Sequence, residues 1–303
     1  MTPFMTMPAL LLAGLFGLFG DDTPKMDSPE TVTVPSGEVA FRPFGSFSHQ
    51  GKTHTPAPVP TQVRGFEIMK YQVTRGDFAA CVADGVCAAE VVTEGNQPQT
   101  HVNFHDAEVY AAWLSERTGV TWRLPTEPEW QRAAAERYGD ATPEDEDYLD
   151  PGQRMLAQYE RGILLRGSAS SALRPAGGFG ENSMGVADLS GNVWEWTADA
   201  FERDYYRRSP PENPVNDKPA TQRVVRGNSW YYSDPNPDMR AANRFGFRPL
   251  RWVPYVGFRC ATDADRGATH DYLLDPGPAE RVALTLSDWM ARNQLAMAAE
   301  GDT

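Results

Sequence analysis

Apolar and polar residues alternate in TVTV (31–34) and again in FEIMKYQV (66–73), the two-residue period of half-buried strands. The period then lengthens. After the second strand, Thr74 followed three residues later by Asp77 reads as the start of a short helix running toward Cys81. HDAEVYAAWLSERTG (105–119) puts Val109, Ala112 and Trp113 at helical spacing and stops at a glycine, which predicts an amphipathic helix capped by Gly119. In WRLPTEPEWQRAAAERYG (122–139), Thr126 is the expected N-cap and Pro128 and Glu129 belong to the first turn, with the helix extending to about Tyr138. From 139 to 182 the periodicity fails. PEDEDYLDPG is acidic and turn-rich, and SASSALRPAGGFG is small and flexible, so this stretch is expected to form surface loops. Short strands return at RVVRGNSW (223–230) and VGFRCA (256–261). Gly-Phe-Arg occurs at 246–248 and 257–259, too brief an echo to define a repeat architecture. Beyond Asp265, AERVALTLSDWMARNQLAMAA (279–299) predicts a helical extension offering Val282, Leu284, Leu286, Trp289 and Met290 for packing.

Composition adds two constraints. With 303 residues, 41% of them hydrophobic, the chain can bury a full core, and its 26 glycines and 25 prolines, spread along its length, favour turns over long regular elements. A formal net charge of −13 argues against nucleic acid or anionic membrane surfaces as partners, because a phosphate-binding face needs clustered Lys and Arg.

Near the N-terminus, an apolar run from Met7 to Gly20 is followed by Asp21 and Asp22. It has the length of a signal-peptide core and falls short of the ~20 residues needed to span a membrane. Residues 1–22 are therefore expected to be a signal peptide or N-terminal anchor, the only part of the chain expected to meet a membrane. They are followed by a linker at 23–30, a domain at 31–265 and the helical extension at 266–303. Export to the periplasm or cell envelope follows as an expectation. Cys81 and Cys87 flank the turn-like VADGV, close enough for a local disulfide if the chain is exported, or else two buried thiols; Cys260 stands alone.

The ordered set KYQVTRGDF, AEVYAAWLSERTG, RLPTEPEWQRAA, GVADLSGNVWEWTAD, RVVRGNSW and VGFRCA resembles the formylglycine-generating enzyme family, the sulfatase-modifying-factor domain, over residues 31–265. The resemblance implies an irregular, loop-rich α+β fold of the C-type-lectin-like kind. It also implies one structural calcium ion at the GNVWEW turn, held by Asp188, the carbonyls of Gly191 and Val193, and Glu195. Calcium prefers carboxylate and carbonyl oxygens, and a glycine-containing turn lets carbonyls converge between the two acids. The alternative is that Glu195 pairs with an arginine, for example Arg226 or Arg240. No residues are carried over for the family's second calcium site, since the matching segment is the divergent excursion.

The family's oxidases use O2 and a copper(I) ion held by two cysteine thiolates, which lie shortly after a G-G-S-[YW] motif. Here that motif is GNSW, Tyr232 takes the first cysteine's place, and the second falls at or beside Pro237. Copper is accordingly not expected, and no catalytic residue is assigned. Tyr231, Tyr232, Arg240 and Arg244 are groove candidates for an acidic or aromatic ligand, with a scaffold role as the alternative for the arginines. His101 and His105 would suit a metal pair if both were helical, the alternative being a helix-start histidine. The resulting expectation is an exported module for protein binding, assembly or maturation, with a protein or peptide partner and without cysteine-oxidase activity. A metal-dependent oxidoreductase acting on a peptide or metabolite is the alternative.

Overall fold

The computed structural model describes residues 25–41, 47–49, 52–54, 59–88, 94–138, 173–189, 191–202, 205, 209–227 and 244–264. The expected N-terminal segment 1–22, most of the acidic excursion, the groove candidates Tyr231, Tyr232 and Arg240, and the C-terminal extension lie outside these residues.

Regular structure is short throughout. Strands β1 (Thr31–Val34), β2 (Gly37–Phe41), β3 (Phe47–His49), β4 (Lys52–His54), β5 (Val59–Val63) and β6 (Phe66–Met69) precede helices α1 (Arg75–Ala83), α2 (Phe104–Thr118) and α3 (Glu127–Ala134). Strands β7 (Trp194–Ala200), β8 (Arg223–Arg226), β9 (Arg244–Phe247), β10 (Val256–Gly257) and β11 (Ala261–Asp263) follow. Two sheets organise the chain: β1-β6-β11, antiparallel, and β10-β7-β8-β9, in which the β10–β7 pair is parallel. β2–β5 and β3–β4 form separate two-stranded ladders.

α1 and α3 begin where the sequence signals them, and α2 begins at Phe104, one residue before the expected segment. Thr74, Asn103 and Thr126 are N-caps, and each forms a reciprocal capping box with the acid three residues on: Asp77, Asp106 and Glu129. Gly119 ends α2 at φ 72°, a left-handed conformation that glycine adopts at little cost. The helix expected to run to Tyr138 stops at Ala134. Ala135 takes φ 47° and the chain continues as a 3-10 turn over Ala135–Tyr138, which buries Tyr138 against the β1/β2/β5 side of the core. VGFRCA is not one strand either. Val256–Gly257 pairs with β7 while Ala261–Asp263 pairs with β6, so Phe258–Cys260 crosses from one sheet to the other. The GNVWEW turn leads straight into β7, a strand buried on nearly every residue that the sequence pattern does not reveal.

Two apolar clusters form the core. One gathers α1, α2, Trp194, Trp196 and Phe258; the other packs Trp130, Ala133 and Ala134 of α3 on β1, β2, β5 and β6. Cys81 and Cys87 are joined by a disulfide at the end of α1, with Cα atoms 5.2 Å apart.

Asp106 gives α2 a pH signature. Burial pushes its carboxyl up to about 6 from an ordinary 3.8, against the lowering effect of its capping bond to the Asn103 N–H. Because the folded value exceeds the unfolded one, this group's stabilising contribution is present below about pH 4 and is lost as pH rises through about 6. Asp106→Asn keeps an acceptor for the Asn103 N–H and removes the titration. Its stability relative to the wild type is therefore expected to increase between pH 4 and pH 6.5 by an amount on the order of 2 kcal/mol, read from urea midpoints at each pH. A difference that stays flat across that interval would refute the assignment.

Candidate functional site

Glu195 lies on β7 between Trp194 and Trp196, and its side chain points into the junction of the two sheets, 1% exposed. A carboxylate there requires full compensation. Arg259, itself fully buried in the crossover between β10 and β11, meets it bidentately: Nε donates to Oε2 at 2.7 Å and a terminal nitrogen donates to Oε1 at 2.8 Å. The Trp130 indole N–H on α3 donates to Oε2 at 2.8 Å, and the Gln72 amide, just after β6, donates to Oε1 at 2.8 Å. Each carboxylate oxygen thus accepts twice. The remaining guanidinium donors reach the carbonyls of Met69 at 3.1 Å, Lys70 at 3.0 Å and Ala187 at 2.8 Å, so all five N–H groups of Arg259 are used.

Glu195 therefore pairs with an arginine, but with neither of the two that the sequence suggests. Arg226 is turned to Glu127 at 2.8 Å in a second buried pair, and Arg240 lies outside the described residues. Glu127 belongs to the RLPTEPEW motif, whose other polar members are also structural. Arg123 forks onto Glu129 at 2.7 Å and reaches Asp263 at 2.7 Å, joining α3 to β11, while the Glu127 N–H donates to Asp199 on β7 at 2.7 Å.

The turn before β7 is clamped by the end of the excursion. Asp188, in a left-handed conformation at φ 63°, accepts from the N–H groups of Gly177 at 2.6 Å and Phe179 at 2.8 Å, one on each oxygen. Burial raises its carboxyl above the ordinary range. Asn192, at φ 68°, holds the Arg174 backbone at both its N–H and its carbonyl. Gly191 makes room for the Phe179 ring: a Cβ there would stand 2.5 Å from it, and the ring would have to move. The carbonyls of Gly191 and Val193 converge on the Gln72 amide nitrogen, at 3.5 and 3.4 Å.

This donor set does not fit calcium. The Glu195 charge is neutralised by Arg259, each Asp188 oxygen already accepts a backbone N–H, and the point where the carbonyls converge holds an amide. Affinity for a hard divalent ion rises with uncompensated ligand charge, and of the two expected acids Glu195 has none to offer.

The copper donors implied by the resemblance do not fit either. The chain has three cysteines; two are bonded to each other, and Cys260 is buried beside the Met69 sulfur, with burial holding its thiol well above the usual range. His105 occupies the first turn of α2, half exposed and paired with Glu108 at 3.1 Å, whereas His101 precedes the helix at φ 57° with Thr100 as its partner. The two rings do not share a helix face. Arg244 opens β9, with its backbone beside Arg226.

The sequence signals reach only part of this network. Gln72 and Arg259 were missed. The hint to them is a polar residue beside apolar ones, Gln72 between Tyr71 and Val73 and Arg259 between Phe258 and Cys260, the usual mark of a buried polar contact.

Short strands, three capped helices, long connections and charge networks joining the sheets define a loop-rich α+β protein of the C-type-lectin-like kind. Solved structures agree. PvdO from Pseudomonas aeruginosa superposes with a TM-score of 0.55 at 26% identity, covering 78% of this chain and 94% of that one, and Treponema denticola variable protein 1 with 0.54 at 16% identity, covering 77% and 94%. Within that class, the chain belongs to the sulfatase-modifying factor enzyme 1-like domain family, whose model matches residues 16–264. Among curated proteins it is similar to the formylglycine-generating enzyme of Streptomyces coelicolor, 33% identical over 58% of this chain and 56% of that protein. It is also similar to the inactive Cα-formylglycine-generating enzyme 2 of Mus musculus (32%; 56% and 50%) and to a hercynine oxygenase of Mycolicibacterium thermoresistibile (30%; 60% and 39%). The chain spans about half the length of the curated relatives it matches, or less.

Proposed function

We propose that this chain is a family member without cysteine-oxidase activity that works as an exported module for protein binding or assembly. The observation that carries this reading is the cysteine inventory. A copper(I) centre of the family's kind needs two thiolates side by side, and the chain's three cysteines are divided between one disulfide and one thiol sealed in the core. Among the described residues, by contrast, the scaffold is intact, with the RLPTEPEW and GNVWEW motifs engaged in packing and ion pairs. Likeness to a mouse relative that bears the word inactive supports the same reading. The Cys81–Cys87 bond supports export, since such bonds persist in oxidising compartments. Where the whole protein acts, and on what partner, belongs to the proposal.

The test is mass spectrometry of a Cys-x-Pro-x-Arg peptide incubated with the purified protein, copper(I), a thiol reductant and air. The peptide is expected to emerge unchanged over many equivalents of enzyme and time. Conversion of its cysteine to the aldehyde would overturn the proposal. The likeness to a hercynine oxygenase favours a second reading, a metal-dependent oxidoreductase acting on a peptide or metabolite. Stoichiometric iron in protein purified from its native compartment would favour it over the first.

A further inference from the structure

Three oxygens converge on one point between the two sheets: the carbonyls of Gly191 and Val193, and Oε1 of Glu195. At that point stands the nitrogen of the Gln72 side chain, 3.5, 3.4 and 2.8 Å from them, with Gln72 itself 1% exposed. Neighbouring oxygens without hydrogens repel one another, and something positively polarised has to separate them. Amide hydrogens do this here, and Arg259 neutralises the carboxylate. We infer that the Gln72 amide and the Arg259 guanidinium take the place of a cation in this turn, so that the chain reaches its fold without calcium at Asp188, Gly191, Val193 and Glu195.

This orientation carries a cost: Gln72 Oε1 is buried and accepts no hydrogen bond among the described residues, and the three contacts made by the nitrogen offset it. Turning the amide over would set Oε1 against the other three oxygens, an orientation that only a cation between them makes favourable. The remaining expected ligand, Asp188, is committed to organising the loop at 177–179 through the Gly177 and Phe179 N–H groups. A single neutral side chain three residues past the end of β6, absent from the donor pattern suggested by the motif, thus decides whether this turn needs metal.

The test uses full-length protein stripped with chelator, with terbium(III) as a calcium probe and thermal melts in calcium and in EGTA. Trp130 touches Glu195 through its indole N–H, so terbium bound at this turn would be sensitised by it. Wild-type protein is expected to show no calcium-competed terbium emission from this turn and a melting temperature that moves by less than about 1 °C between calcium and EGTA. Gln72→Glu puts a carboxylate beside Glu195; it is expected to melt roughly 5 °C or more below wild type in EGTA and to recover part of that loss in millimolar calcium. Should Gln72→Glu fail to fold, Gln72→Ala serves instead, expected to melt lower by a similar margin with or without calcium. Stoichiometric, calcium-competed emission from the wild type that is lost in Asp188→Asn, with a calcium-dependent rise in melting temperature, would overturn the inference. Emission that Asp188→Asn leaves unchanged would come from a cation bound elsewhere and would agree with it.

Discussion

Arg259→Met is expected to destabilise the folded chain by about 3–5 kcal/mol, because it leaves the Glu195 carboxylate buried with only neutral donors. The loss is large for a second reason. The same guanidinium satisfies the carbonyls of Met69, Lys70 and Ala187, and these become orphan acceptors in a place that water does not easily reach. Urea denaturation of the single variants and of Arg259→Met combined with Glu195→Leu measures the coupling. The double variant is expected to be more stable than the sum of the two single losses predicts, since an apolar pair removes both buried charges together. Additive losses would mean that Glu195 and Arg259 do not act as a pair.

Trp130→Ala is expected to cost about 3–5 kcal/mol, the usual range for emptying a fully buried aromatic site. Trp130 is where the second apolar cluster meets the charged junction: its ring packs with Ala133, Ala134 and Leu189 while its N–H reaches Glu195. Trp130→Phe separates the two roles. It retains most of the ring and removes the donor, and is expected to cost roughly 1–3 kcal/mol. Equal losses for Ala and Phe would show that the hydrogen bond, not the packing, carries the effect. Gly227 also meets this ring, a Cβ at its position lying 3.3 Å from the indole.

Neither expectation could have been written from the motifs alone, and the reason differs from residue to residue. Helix starts were legible because a capping box is local: Thr74 with Asp77, and Thr126 with Glu129, are complete within four consecutive residues. The fold class and the family were legible because RLPTEPEW and GNVWEW carry several specific residues each. The end of α3 was not, since nothing in AAAERYG signals the left-handed Ala135 that turns Tyr138 into the core. β7 was hidden because a strand buried on both faces shows no alternation.

Glu195 shows the limit most directly. Its position between two tryptophans marks it as a buried acid, and the sequence left its compensation open between a cation and an arginine. Arg226 was the nearer candidate, yet it faces Glu127, while the true partner is 64 residues away along the chain.

The sequence by itself determined the family, the fold class, the helix caps and the absence of two further cysteines from which a copper site could be built, because each depends on residue identity or on neighbours a few positions apart. The tertiary structure alone decided what compensates Glu195. That answer depends on bringing residues 72, 130, 195 and 259 to one point, and the charge and hydrogen-bond balance of a buried site exists only once every group around it has been placed.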